Sequence, residues 1–146
     1  MWLVCCAVDT EFDVDKGLGK SLTKKGKCSS GALRGAGPDE LAKYLGCKKG
    51  MVNYFSTVND VDKKVVVLMD KRLMEAEWAS FHPMDNHAST CINREGILKI
   101  KELSGRDDTN FEVVDFSALG PAPNEKPANT GKAKPSGQGK IDSTGK

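Results

Sequence analysis

The window Phe81-His82-Pro83-Met84-Asp85-Asn86-His87-Ala88-Ser89-Thr90 holds both histidines of the chain, together with an asparagine, a serine and a threonine. Pro83 fixes the backbone just after His82 and biases His82 toward extended geometry, which predicts an imidazole aimed from the end of a strand. Asn86 can serve a site or simply make a turn, since Asn readily bonds to nearby backbone. His87 reads as a surface residue. A thiol nucleophile with His82 as its base is one chemistry the window permits, Cys91 being the nearest cysteine, while a buried structural cysteine is the other reading. Without Cys or carboxylate partners at ligand spacing, the two histidines predict no metal site, and no cofactor is expected.

The five cysteines, Cys5, Cys6, Cys28, Cys47 and Cys91, are odd in number and form no CxxC or Cys/His zinc spacing. They are expected as reduced thiols packed in the core. The apolar opening from Met1 to Val8 is too short to span a bilayer and lacks a basic leader and a cleavage site. It predicts a buried strand in a soluble, cytoplasmic protein with no membrane attachment.

These chemical residues need a frame, and a chain of 146 residues is long enough to bury one core. Composition changes near Ser117: from there to Lys146 large apolar residues almost vanish, which predicts a disordered tail or linker over 117–146 after one domain over 1–116. The tail carries five Lys against Glu125 and Asp142, a net +3, while the remainder has 17 basic and 18 acidic residues, a net −1. Such a tail reads as a solvated linker or a weak polyanion tether.

Within 1–116, Trp2 to Val8 is a predicted strand, and Asp13 to about Lys25 a weak helix interrupted by Gly17 and Gly19. A better marked helix begins at Pro38, carries Asp39 and Glu40 at the positive end of its dipole, and stops at Gly46. Val52 to Val58 and Val65 to Met69 are predicted as paired strands around the polar stretch Asn59 to Lys64. A short helix from Asp70 to about Glu77, strands at Trp78 to Phe81 and His87 to Ile92, a helix capped by Asn93, and a strand from Phe111 to Phe116 complete the series. The expected fold is mixed α/β, with a curved, barrel-like sheet partly covered by helices.

Four segments together carry a resemblance: Trp2-Leu3-Val4, Ser30-Gly31-Ala32-Leu33-Arg34, the stretch from Leu45-Gly46 to Asn59-Asp60, and Phe81-His82-Pro83-x-x-Asn86-x-x-x-Thr90. They resemble the YbaK and prolyl-tRNA-synthetase-associated editing domains, most nearly the freestanding deacylases that clear alanine from proline tRNA. The resemblance covers about Met1 to Phe116. It implies hydrolysis of the ester between a wrong amino acid and the 3′ end of its tRNA, by water and without a metal. His82 would shape and polarise the amino-acid pocket, Asn86 would hold neighbouring backbone or the terminal ribose, and the turn at Gly50 would offer N–H groups to the ester carbonyl. Ser30, Gly31, Arg34, Phe81, Pro83 and Thr90 would contact the substrate, although Arg34 could equally form a structural salt bridge.

The partners implied are the acceptor end of proline tRNA and a prolyl-tRNA synthetase, fused or in trans. The resemblance also implies a segment before the Trp-Leu-Val strand, with a further strand and a substrate-recognising lysine, so the domain is expected to be N-terminally incomplete here. Two departures stand inside the match: Tyr54 where the family has proline after Gly-x-x-x, and Gly35 where an aromatic follows Leu-Arg. The alternative function is a catalytically silent tRNA- or partner-binding domain appended to the synthetase.

Overall fold

Val66–Asp70 is a short strand in which four of five residues are buried, a run with no polar face. Such a strand has to lie in the middle of a covered sheet. In the computed structural model, which describes residues 1–120, it does so. This strand, β2, pairs in parallel with β1 (Trp2–Cys5) on one side and with β5 (Phe111–Val114) on the other. The register sets Leu3 beside Val67 and Met69 beside Val113.

Each face of this sheet has its own apolar cluster. Leu3, Val67, Met69 and Phe111 point to one face, where they meet Leu41 and Leu45 of helix α2 (Pro38–Leu45), Tyr54, and Ile97 of helix α4 (Arg94–Leu103). Leu68 and the partly buried Trp2, Val4 and Val66 point to the other, against Leu18, Leu22 and Phe116. The short helix α1 (Lys20–Lys24) carries Leu22, and the π-type turn Val14–Gly19 before it carries Leu18. Burying side chains such as Val67 and Met69 completely contributes about 1.5–3 kcal/mol each.

The remaining elements hang on this frame. Helix α3 (Lys71–Glu75) follows β2 directly and is capped by Asp70, while β3 (Ala79–Phe81) and β4 (Thr90–Ile92) form a separate antiparallel pair. Asn93 caps α4 through a 2.9 Å bond from the Gly96 N–H, as its position before an apolar face predicts.

Mixed α/β is therefore the architecture, and three expectations change. No closed barrel forms among the described residues; a three-stranded parallel sheet and a two-stranded antiparallel pair stand in its place. The segment expected as a strand over Val52 to Val58 is instead a 3₁₀ helix, Tyr54–Asn59, and β2 takes β1 and β5 as neighbours. The Asn53 side chain accepts from the Ser56 N–H at 3.2 Å and captures the chain in a helical turn before it can extend. Finally, order does not end at 116: the turn Phe116–Leu119 packs Phe116 and Leu119 into the second cluster. The rest of the expected tail, 121–146, lies outside the described residues.

Gly19 shows why the weak helix carries glycines. A Cβ there would lie 1.9 Å from the Gly31 carbonyl oxygen, so the two chain segments approach more closely than any side chain allows.

Candidate active site

The β3–β4 pair delivers the histidine window. Phe81 pairs with Thr90 in the last register position, and residues 82–89 form the loop between the two strands. His82 is exposed at the strand end, and its Nδ1 lies 3.0 Å from the Ala88 carbonyl oxygen, with Ser89 Oγ 3.4 Å away. A carbonyl oxygen can only accept, so Nδ1 carries a proton, and in the neutral ring Nε2 is then the acceptor. The Met84 N–H donates to the His82 carbonyl at 2.9 Å, folding the chain tightly over Pro83.

From this loop Asn86 reaches across to the other candidate segment. Its Nδ2 donates to the Gly50 carbonyl at 3.0 Å. Gly50 sits at φ 88°, in the left-handed region that favours glycine, where the backbone can turn without a Cβ. The Met51 N–H closes that turn on the Lys48 carbonyl at 3.0 Å. Among the described residues, the N–H groups of Gly50 and Val52 donate to no protein acceptor. Asn86 and Gly50 are thus joined by one side-chain bond, with free amide donors at the turn and His82 on the same loop as Asn86.

Asn53 supports the same junction and is not marked by the motifs. Its Nδ2 donates to the Met51 carbonyl at 2.9 Å and lies 3.7 Å from Met84 Sδ. The signal that could have found it is the Asn53-x-x-Ser56 spacing, which is that of a helix cap. Tyr54, next in the chain, is fully buried: its hydroxyl donates to the Ile97 carbonyl at 2.9 Å, and its ring packs beside Phe81 and Phe111. Burial pushes the Tyr54 phenol well above the usual tyrosine range. The large ring is packed wholly within the core.

Ser30, Gly31 and Arg34 lie elsewhere. Ser30 and Arg34 belong with Trp2, Val4, Leu33 and Tyr44 to a cavity of about 900 Å³ along the edge of β1, and Gly31 adjoins it in the same stretch of chain. The Met1 carbonyl accepts from Val66, so strand alternation turns the N–H and C=O groups of Trp2 and Val4 away from β2 and toward that edge. Arg34 grips Glu40 through two bonds, of 2.8 and 2.7 Å. That pair, aided by the Gly37 N–H, holds the Glu40 carboxyl down to about 2. Gly35 leaves open space in this cavity, since a Cβ at that position would meet nothing within 4 Å. None of His82, Asn86 or Gly50 lines it.

The cysteines depart from the expected buried set. All five are free thiols, yet only Cys47 is buried, and Cys6 and Cys91 are exposed. Cys91 pairs with exposed Ser80 on the outer side of the β3–β4 hairpin, which has only one packed side. No hydrogen bond joins it to His82 among the described residues, where Nδ1 is already engaged by Ala88. Cys5 is partly buried against the first cluster, and desolvation there, with Cys6 adjacent, pushes its thiol up to about 12. Among the described residues no three His, Cys, Asp or Glu side chains converge as a metal site requires.

The family model of the aminoacyl-tRNA editing domain matches residues 1–100, which contain Ser30, Arg34, Gly50, His82 and Asn86. The chain belongs to that family. This editing domain is also similar to the prolyl-tRNA editing protein ProX of Acetoanaerobium sticklandii, at 36% identity over 94 residues. The match takes in 64% of this chain and 56% of that protein, so the editing domain spans little more than half the length of the curated relative.

Proposed function

We propose that this chain hydrolyses the ester of mischarged tRNA, with alanine on proline tRNA as its substrate. The observation that carries the reading is the Asn86–Gly50 bond, which ties the loop that bears the exposed His82 to a glycine turn with unengaged amides. An ester carbonyl at that turn would meet N–H donors where negative charge develops during attack by water. His82 Nε2 would accept from the amino-acid end of the substrate and so orient it, and a hydroxyl of the terminal ribose would help position the water. The need for such a site is physical: a synthetase pocket rejects a smaller amino acid by only about 1–3 kcal/mol per methylene, and a second, sterically selective site has to remove the error.

Family membership and the likeness to ProX support editing of this kind. The partners that follow are the acceptor end of proline tRNA and a prolyl-tRNA synthetase, and the setting is the cytoplasm. No helix among the described residues is long and apolar enough to cross a membrane. Ser30, Gly31, Phe81, Pro83 and Thr90 remain proposed substrate contacts, with Arg34 reaching phosphate only if it leaves Glu40.

Single-turnover deacylation of alanyl-tRNA for proline tests the reading, with prolyl-tRNA as the control. The parent is expected to hydrolyse the alanyl ester selectively, and His82→Ala to slow it by about 10²-fold, the lower range for a positioned polar group in catalysis. Equal rates for parent and variant would overturn the role of His82. Tight tRNA binding without hydrolysis would instead make the chain a binding module appended to the synthetase.

A further inference from the structure

We infer that Lys48 and Lys49 form a phosphate clamp for the single-stranded 3′ end of the RNA, immediately beside the reacting ester. This rests on the deacylase reading of the Gly50 turn and names what holds the rest of the substrate there. From Cys47 to Asn59 the chain carries these two lysines and no carboxylate. Both are exposed. Among the described residues neither joins an ion pair, a state they share with other lysines such as Lys43 and Lys63.

The facing loop does not neutralise them. Its one carboxylate, Asp85, accepts from both the ring and the backbone N–H of His87 and pairs with neither lysine. Lys48 also supplies the carbonyl that closes the turn on Met51, so the two ammonium groups are anchored to the piece of backbone that Asn86 holds. Consecutive Cα atoms lie about 3.8 Å apart, which places Lys49 one step and Lys48 two steps from Gly50. An ester on the terminal ribose is followed at once by phosphodiesters, so phosphate has to pass within reach of these side chains. As a flexible point charge, lysine suits a mobile single strand whose phosphates are not held in a fixed geometry.

Neutralising a phosphate on single-stranded nucleic acid contributes about 0.7 to the slope of log affinity against log salt. The experiment compares the parent with the Lys48→Gln/Lys49→Gln double variant on two substrates over a range of salt: alanyl-tRNA for proline, and the alanyl ester of adenosine, which has no phosphate. The double variant is expected to lose kcat/KM on the tRNA several-fold at low salt, with a salt slope shallower by about 1.4, the sum for two lysines. On alanyl-adenosine it is expected to match the parent. An unchanged slope on tRNA, or equal losses on both substrates, would overturn the clamp. A parent that hydrolyses neither ester would sink the deacylase reading instead, and the salt slope of tRNA binding measured by fluorescence anisotropy would then decide the lysines on their own.

Discussion

Asn86 holds the carbonyl of Gly50 at 3.0 Å across 36 positions of chain. That single bond ties the histidine loop to the glycine turn. Asn86→Ala is expected to cost little stability, about 0.5–1.5 kcal/mol for one hydrogen bond at an exposed junction. The loss in deacylation is expected to be larger, up to about 10²-fold, because small displacements of positioning groups are amplified in rate. Thermal unfolding and single-turnover rates on the same preparation check this. A rate loss no greater than the stability loss predicts would show that the bond is structural only.

Arg106 and Asp60 make the ion pair buried deepest in the described fold. Arg106 Nη2 lies 2.7 Å from Asp60 Oδ2 and 3.1 Å from the Val65 carbonyl, while Nη1 donates to the Thr57 carbonyl at 3.0 Å. Asp60 also accepts from the Lys64 and Val65 N–H groups, so the pair braces both ends of the chain between Tyr54–Asn59 and β2. Arg106→Met leaves the Asp60 charge and two carbonyls without this partner, and the expected loss is about 3–5 kcal/mol. Urea unfolding measures it, and a loss below about 1 kcal/mol would mean that water replaces the guanidinium.

Glu40 provides the pH-dependent prediction. Its hydrogen bonds from Arg34, then from the Gly37 N–H, bring the carboxyl down to about 2. A depressed carboxyl contributes stability that is complete above its unfolded value and is lost as the pH falls through the folded one. The Arg34–Glu40 contact therefore survives mild acid and opens only near pH 2. A carbon-13 titration of the Glu40 carboxyl is expected to show that midpoint, and Arg34→Ala to return it toward the ordinary glutamate range. An ordinary midpoint in the parent would mean that the pair is not formed in solution.

Helices were the most legible elements. Pro38, the acidic first turn and Gly46 mark α2, and Asn93 marks α4, because caps and dipole charges act within a few residues of the backbone they satisfy. The stretch after Gly50 was misleading: Val52, Phe55 and Val58 favour a strand, but Asn53 bonds locally to Ser56 and Met51 and the chain coils. The motif residues of the site were legible by type, yet their grouping was not. Ser30 and Arg34 line the cavity along β1, which His82 does not, and no residue spacing marks that cavity because a strand's edges are decided by pairing partners far along the chain. Cys91 faces outward for a similar reason, being directed by its register against Ser80.

The burial of Tyr54 constrains how sequences of this kind can diverge. Its ring fills space between Phe81 and Phe111, and its hydroxyl satisfies a carbonyl in α4. Replacing it by proline in one step would empty that space, at a cost of about 3–5 kcal/mol typical of removing a large aromatic side chain. A lineage can move between tyrosine and proline here only if neighbours such as Phe81, Phe111 or Ile97 change with it. Position 54 is therefore bound to the interior that it fills, and can change only in step with it.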